Sequence, residues 1–204
     1  MIKRVFYVVH FNDRDVQRCV DAIRLICDPN EKGCAHITVR GPYRQRYNVQ
    51  AIARKIQGKT IDVDGVGSFF EEKQNTIFLK CSSPSLEEVW MKSDYGYNPH
   101  VTLYDGTSRK LATMLLDTLL RLDLKFSFIA DGLTPFLSVK GQRALDLRSA
   151  FDCEFVSKLL GETINADMVD TLPLASRLAY VETLASHLPS LSRQLKASLT
   201  PPSD

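Results

Sequence analysis

Paired cysteines are the first thing this chain lacks. Its five cysteines, Cys19, Cys27, Cys34, Cys81 and Cys153, are odd in number and scattered, with no C-x-x-C step. That argues against a disulfide framework and for reduced thiols in a cytoplasmic protein. Long apolar runs are missing too. The run inside MIKRVFYVVHFNDRD is too short for a signal h-region or a spanning helix, so no membrane partner is expected. Nor is there an excess of charge. The 26 lysines and arginines against 24 aspartates and glutamates leave a formal +2. That is too balanced for a protein that coats duplex DNA or lies on an anionic surface. Histidine is scarce as well, four in 204 residues, so where each one stands carries information.

Two of the four stand in similar places. CAHITVRGPY (Cys34 to Tyr43) and NPHVTLYDG (Asn98 to Gly106) each carry a His-x-Thr step in a β-rich segment. Around them, strands and helices alternate. RVFYVVHF reads as a buried first strand, and DVQRCVDAIRLIC as an amphipathic helix capped from NDRD. The first histidine strand follows, then a short helix in NVQAIARKIQG closed by Gly58, then two strands in KTIDVDGVGSFF and NTIFLKCS. The order restarts with a helix in SPSLEEVWMKS, the second histidine strand, and a strong helix in DGTSRKLATMLLDTLLRLDL. KFSFIADGLTPFLSV then alternates as a strand or bent strand pair, with Gly132 and Pro135 at the bend. This predicts an α+β protein: a bilobal, duplicated α/β domain over 1–140, with two antiparallel sheets around a central cleft. A helical extension over 141–197 and a disordered tail over 198–204 complete it.

Alternate residues of a strand share a face. His36, Thr38 and Arg40 therefore point one way and Ile37 and Val39 the other; His100, Thr102 and Tyr104 oppose Val101 and Leu103 in the same manner. If the lobes turn their polar faces together, two imidazoles and two hydroxyls converge on one groove. An imidazole titrates near neutrality, so one can accept a proton while its partner donates one. The threonine hydroxyls can donate to non-bridging phosphate oxygens, and Arg40 can add charge where the transition state concentrates it. This is phosphodiester chemistry that needs neither metal nor cofactor. His10, His36 and His100 fall on separate strands without metal-ligand spacing, which makes a metal site the lesser reading.

HITV and HVTL resemble the paired H-x-T/S-hydrophobic signatures of the 2H phosphoesterase superfamily, which includes RNA 2′,3′-cyclic phosphodiesterases, also called 2′-5′ RNA ligases. The likeness covers about residues 2 to 140, strand–helix order included. It implies a bilobal fold and metal-independent cleavage of a phosphodiester beside a ribose hydroxyl. His36 and Thr38 match the first motif, His100 and Thr102 the second. By analogy His100 is the base and His36 the acid. The expected substrate is a small nucleotide or RNA end: a 2′,3′-cyclic phosphate, a 2′-5′ linkage, or a cyclic or oligonucleotide signal. A non-catalytic nucleotide- or RNA-binding module using the same cleft is the alternative.

Flanking residues extend the candidate site. Arg40 is expected on phosphate and Tyr104 against base or ribose. GPYRQRY adds Tyr43, Arg44, Arg46 and Tyr47, a mixture suited to stacking and phosphate contact. Tyr95 and Tyr97 are rim candidates, His10 is expected in the core and His187 at the surface. The extension could dock on the sheet, cap the cleft or form a dimer interface.

Overall fold

The computed structural model describes residues 3–29, 33–91, 96–139 and 151–199. The β-branched and aromatic stretch forms β1 (Lys3–Phe11), and Asp13 then opens α1 (Arg14–Cys27), its carboxylate accepting from the N–H groups of Asp15 and Val16. There follow β2 (Ile37–Tyr43), α2 (Gln50–Ile56), β3 (Thr60–Phe70), β4 (Asn75–Ser82), α3 (Pro84–Val89), β5 (His100–Gly106), α4 (Arg109–Leu120) and β6 (Lys125–Val139). The molecule is mixed α+β.

Among the described residues every strand pair is antiparallel, and the six strands join in one closed ring, β1-β2-β5-β4-β3-β6. The chain divides into β1–α1–β2–α2–β3 and β4–α3–β5–α4–β6. Exchanging these halves leaves the set of paired strands unchanged. β2 and β5 map onto each other in that exchange, and they meet at a single register pair, Ile37↔Val101. Each of those residues follows a motif histidine by one. β6 is one strand that changes partner: its first residues pair with β3 and those from Ala130 onward with β1. The register shift falls at Asp131 and Gly132, where φ at Gly132 is +127°, a conformation that glycine adopts without strain.

Ile37, Val39, Val101 and Leu103 are buried against helices on one side of the sheet, with Val16, Val20, Ile23 and Cys27 supplying the apolar stripe of α1. The polar face of β2 and β5 is left on the other side. Beyond the barrel come α5 (Cys153–Leu160), a single 3-10 turn at Met168–Thr171, and α6 (Leu174–Leu199). The extension docks behind the sheet: α6 packs along α1 and against α4 and β6. Val181, Leu184, Ala185 and Leu188 form its fully buried stripe. The Ser192 hydroxyl accepts from the Ser127 N–H of β6 and donates to the Ser127 carbonyl. His187, expected at the surface, is half-buried and bonds the Leu159 carbonyl at 3.1 Å. The boundary expected near 140 and residues 200–204 lie outside the described residues, while 198 and 199 are helical. The five cysteines are free, and among the described residues no helix is long and apolar enough to cross a membrane.

Candidate active site

The Ile37↔Val101 register sets the positions on either side of it. One step outward, antiparallel pairing puts His36 beside Thr102 and Thr38 beside His100. Ile37 and Val101 are fully buried on one face, so the four motif side chains share the opposite face. They therefore lie on adjacent strands, side by side across one ladder, and exchanging the two halves exchanges His36 with His100 and Thr38 with Thr102. The rows extend onto the flanking strands. Val9↔Ile37 carries His10 of β1 next to His36, and Lys80 of β4 pairs with His100.

Both imidazoles are held in the same way. Nδ1 of His36 bonds the Cys34 carbonyl and Nδ1 of His100 the Asn98 carbonyl, each at 2.8 Å and each two residues upstream. A carbonyl can only accept, so Nδ1 carries the proton in the neutral ring and Nε2 keeps its lone pair. Neither Nε2 has a partner among the described residues.

Their surroundings differ. The His36 ring packs against Phe136 and His10, both with centroids 5.9 Å away. Burial pushes its pKa down to about 4, helped by the charges of Arg24, His10 and His100 and opposed by the bond to Cys34. His36 is thus neutral at pH 7. His100 packs on Phe78 at 4.9 Å and meets the edge of Phe69 at 5.8 Å.

Helix α1 fixes the backbone around both motifs. Gln17, Asp21 and Arg24 recur along one side of it. The Asp21 carboxylate accepts from the Ala35 N–H, and Gln17 donates to the Ala35 carbonyl at 3.2 Å. Burial raises the Asp21 pKa, opposed by the bonds its carboxylate accepts from the Ala35 N–H and from Gln17 Nε2 at 2.9 Å. Arg24 donates to the carbonyls of Thr102 and Gly33. Because β2 and β5 splay after one pair, the Thr102 carbonyl takes a guanidinium donor in place of a strand partner.

A cleft of about 740 Å³ opens over this face, lined among others by Thr38, Arg40, Tyr43, His100 and Thr102. That volume suits a small-ligand site. His36 is half-buried at its edge, outside the lining. Arg40 donates through Nε to the Val89 carbonyl at 2.8 Å. Tyr43 packs edge-on to Tyr47 at 5.0 Å and sets its hydroxyl against the Met91 sulfur. Arg44 and Arg46 are exposed, and neither lines the cleft. Tyr97 donates to the Ser83 carbonyl at 3.2 Å, and Tyr95 lies outside the described residues.

Tyr104 requires a correction. Strict alternation predicts it in the cleft, yet it is buried in the core on the other side. The β4–β5 register shifts between Ile77↔Tyr104 and Phe78↔Thr102. One extra residue on β5 flips the phase, so Leu103 and Tyr104 both point inward. Asp105 then takes the cleft position. There it accepts from Thr76 at 2.8 Å and from Gln74 at 2.8 and 2.9 Å.

Asp105, Phe69 and Trp90 all line the cleft without having been singled out by the sequence. His10, expected in the core, is half-buried beside His36. Alternation from the buried Ile61 and Val63 would set Phe69 in the core; the β3 irregularity between Val63 and Val66 turns it to the cleft, so the pattern held no signal for it. Among the described residues no group of three His, Cys, Asp or Glu side chains is placed to hold a metal ion. Comparison with known proteins gave no matching family model, no matching curated protein and no matching solved structure.

Proposed function

We propose that the protein is a metal-independent phosphodiesterase of the 2H kind, acting on a nucleotide phosphodiester held over the β2–β5 ladder. The observation that carries this reading is the Ile37↔Val101 register, which sets a histidine and a threonine on each of two adjacent strands in mutually exchanged order. On this reading the two β-α-β-α-β halves are related lobes of a duplicated fold. The phosphorus sits between the rows, with the Thr38 and Thr102 hydroxyls donating to its non-bridging oxygens and Arg40 adding positive charge.

The burial of His36 supports one division of the acid–base roles. His36, held neutral by burial, accepts the proton from the attacking water or ribose hydroxyl. His100 donates its proton to the leaving ribose oxygen as the P–O bond breaks. This is the reverse of the assignment made by analogy. The near-balanced charge of +2 favours a compact substrate over a long duplex: a 2′,3′-cyclic phosphate, a 2′-5′ linkage, or a cyclic or oligonucleotide signal.

The test is phosphate-ester release from a panel of these compounds in EDTA, for wild type, His36→Ala and His100→Ala. Turnover in EDTA that disappears in both variants supports the reading. Tight binding without turnover identifies a nucleotide-binding module instead, and activity abolished by EDTA identifies a metal-dependent hydrolase.

A further inference from the structure

The cleft is longer than one phosphate needs. It runs from Asn98, just before β5, to Asp105 within it, eight residues and roughly 20 Å of extended chain, with the histidine and threonine rows near its middle. Each end offers a flat apolar surface. At the Arg40 end stands Trp90, half-buried, its indole N–H donating to the Gly96 carbonyl at 3.1 Å and its ring edge-on to Tyr97 at 5.5 Å. Tyr43 and Met91 lie in the same wall. Arg40 lines the stretch between Thr38 and that wall. With its Nε used on Val89, its remaining N–H groups have no partner among the described residues.

At the opposite end is Phe69. It stacks on Phe78 with centroids 4.5 Å apart and planes 29° from parallel, yet it is 41% exposed. Strand pairing puts Phe69 against Thr76, and Thr76 against Asp105. The ring therefore stands past His100, away from Trp90. A phenylalanine left open in a cleft, with a stacked partner fixing its plane, is a surface for another flat ring.

We propose that the cleft takes an internal linkage of an oligonucleotide, with one nucleoside on each side of the phosphorus. One base stacks on Phe69 and the other on the Trp90 and Tyr43 wall. This rests on the phosphodiesterase reading and chooses among its substrates: a dinucleoside linkage, 2′-5′ or 3′-5′, over a mononucleotide 2′,3′-cyclic phosphate, which fills one end only. Stacking tolerates any base, so no strong base preference is expected at either end.

Trp90 is the chain's single tryptophan, so its emission reports a base arriving at that end. The experiment titrates 2′-5′-linked adenylyl-adenosine and adenosine 2′,3′-cyclic phosphate, following Trp90 emission and kcat/KM for wild type, Phe69→Ala, Trp90→Leu and the double variant. The dinucleotide should quench the emission and be turned over with the higher kcat/KM. Each single variant should lower its kcat/KM about tenfold, and the double variant by about the product, because separate bases are lost. Equal turnover of the two compounds, or a dinucleotide kcat/KM within twofold of wild type in either single variant, overturns the proposal. If neither compound is turned over, the phosphodiesterase reading fails while the two-ended cleft is still decided by binding. Quenching by the dinucleotide that weakens in Phe69→Ala upholds it, and no quenching overturns it.

Discussion

His36 and His100 are the same side chain at equivalent strand positions, with the same Nδ1 anchor, yet only His36 is wedged between Phe136 and a second histidine. That difference has a pH signature. Folded His36 protonates near pH 4, while a histidine in the unfolded chain does so near 6.5. Between those values the unfolded chain binds more protons, so stability falls as pH drops through the window, and the loss is complete below about 4. The thermal midpoint should therefore fall less between pH 6.5 and 4 in His36→Gln than in wild type; equal falls would contradict a buried, neutral His36. Under the proposed roles, the acid limb of kcat/KM should likewise lie nearer pH 4 than 6.5. A limb at the higher value would move the base elsewhere.

At the scale of elements, strand alternation was legible where pairing is regular and failed where it is not. The faces of His36, Thr38, His100 and Thr102 could be read from period two alone. Tyr104 could not, because a bulge opposite Ile77 and Phe78 depends on the partner strand. His10 was misjudged for a related reason: which side of β1 meets β2 depends on a register that the sequence of β1 does not contain. The backing of His100 supplies a test. A Cβ on Gly67 would lie 2.6 Å from the Phe78 ring, which packs on His100. Gly67→Ala should cost about 1–3 kcal/mol by overpacking and lower kcat by moving the ring behind His100. Denaturant unfolding and turnover measure the two effects, and a variant indistinguishable from wild type would remove Phe78 from the account.

Across the whole molecule, the α+β class and the element order were readable, because helical and strand periodicities alternate cleanly over the first 139 residues. The closed ring of strands was not, since it depends on non-local partners. Nor was the docking of α6, whose apolar stripe shows only that something covers it. With Leu184 fully buried against α1 and its carbonyl 3.3 Å from the Cys19 sulfur, Leu184→Ala should destabilise the fold by about 2–5 kcal/mol. The cleft lies on the far side of the sheet, so kcat should stay within twofold at temperatures where the variant is folded. A selective loss of kcat without loss of stability would place α6 in the chemistry.

The most direct measurement of the central claim is a double-mutant cycle on the two histidines, read as kcat/KM in EDTA on a 2′-5′-linked adenosine dinucleotide. If His36 and His100 serve one phosphorus together, His36→Gln and His100→Gln should each lose about a thousandfold or more, and the double variant little beyond either single one. Either single variant keeping activity within tenfold of wild type, or losses that multiply in the double variant, would contradict a shared site.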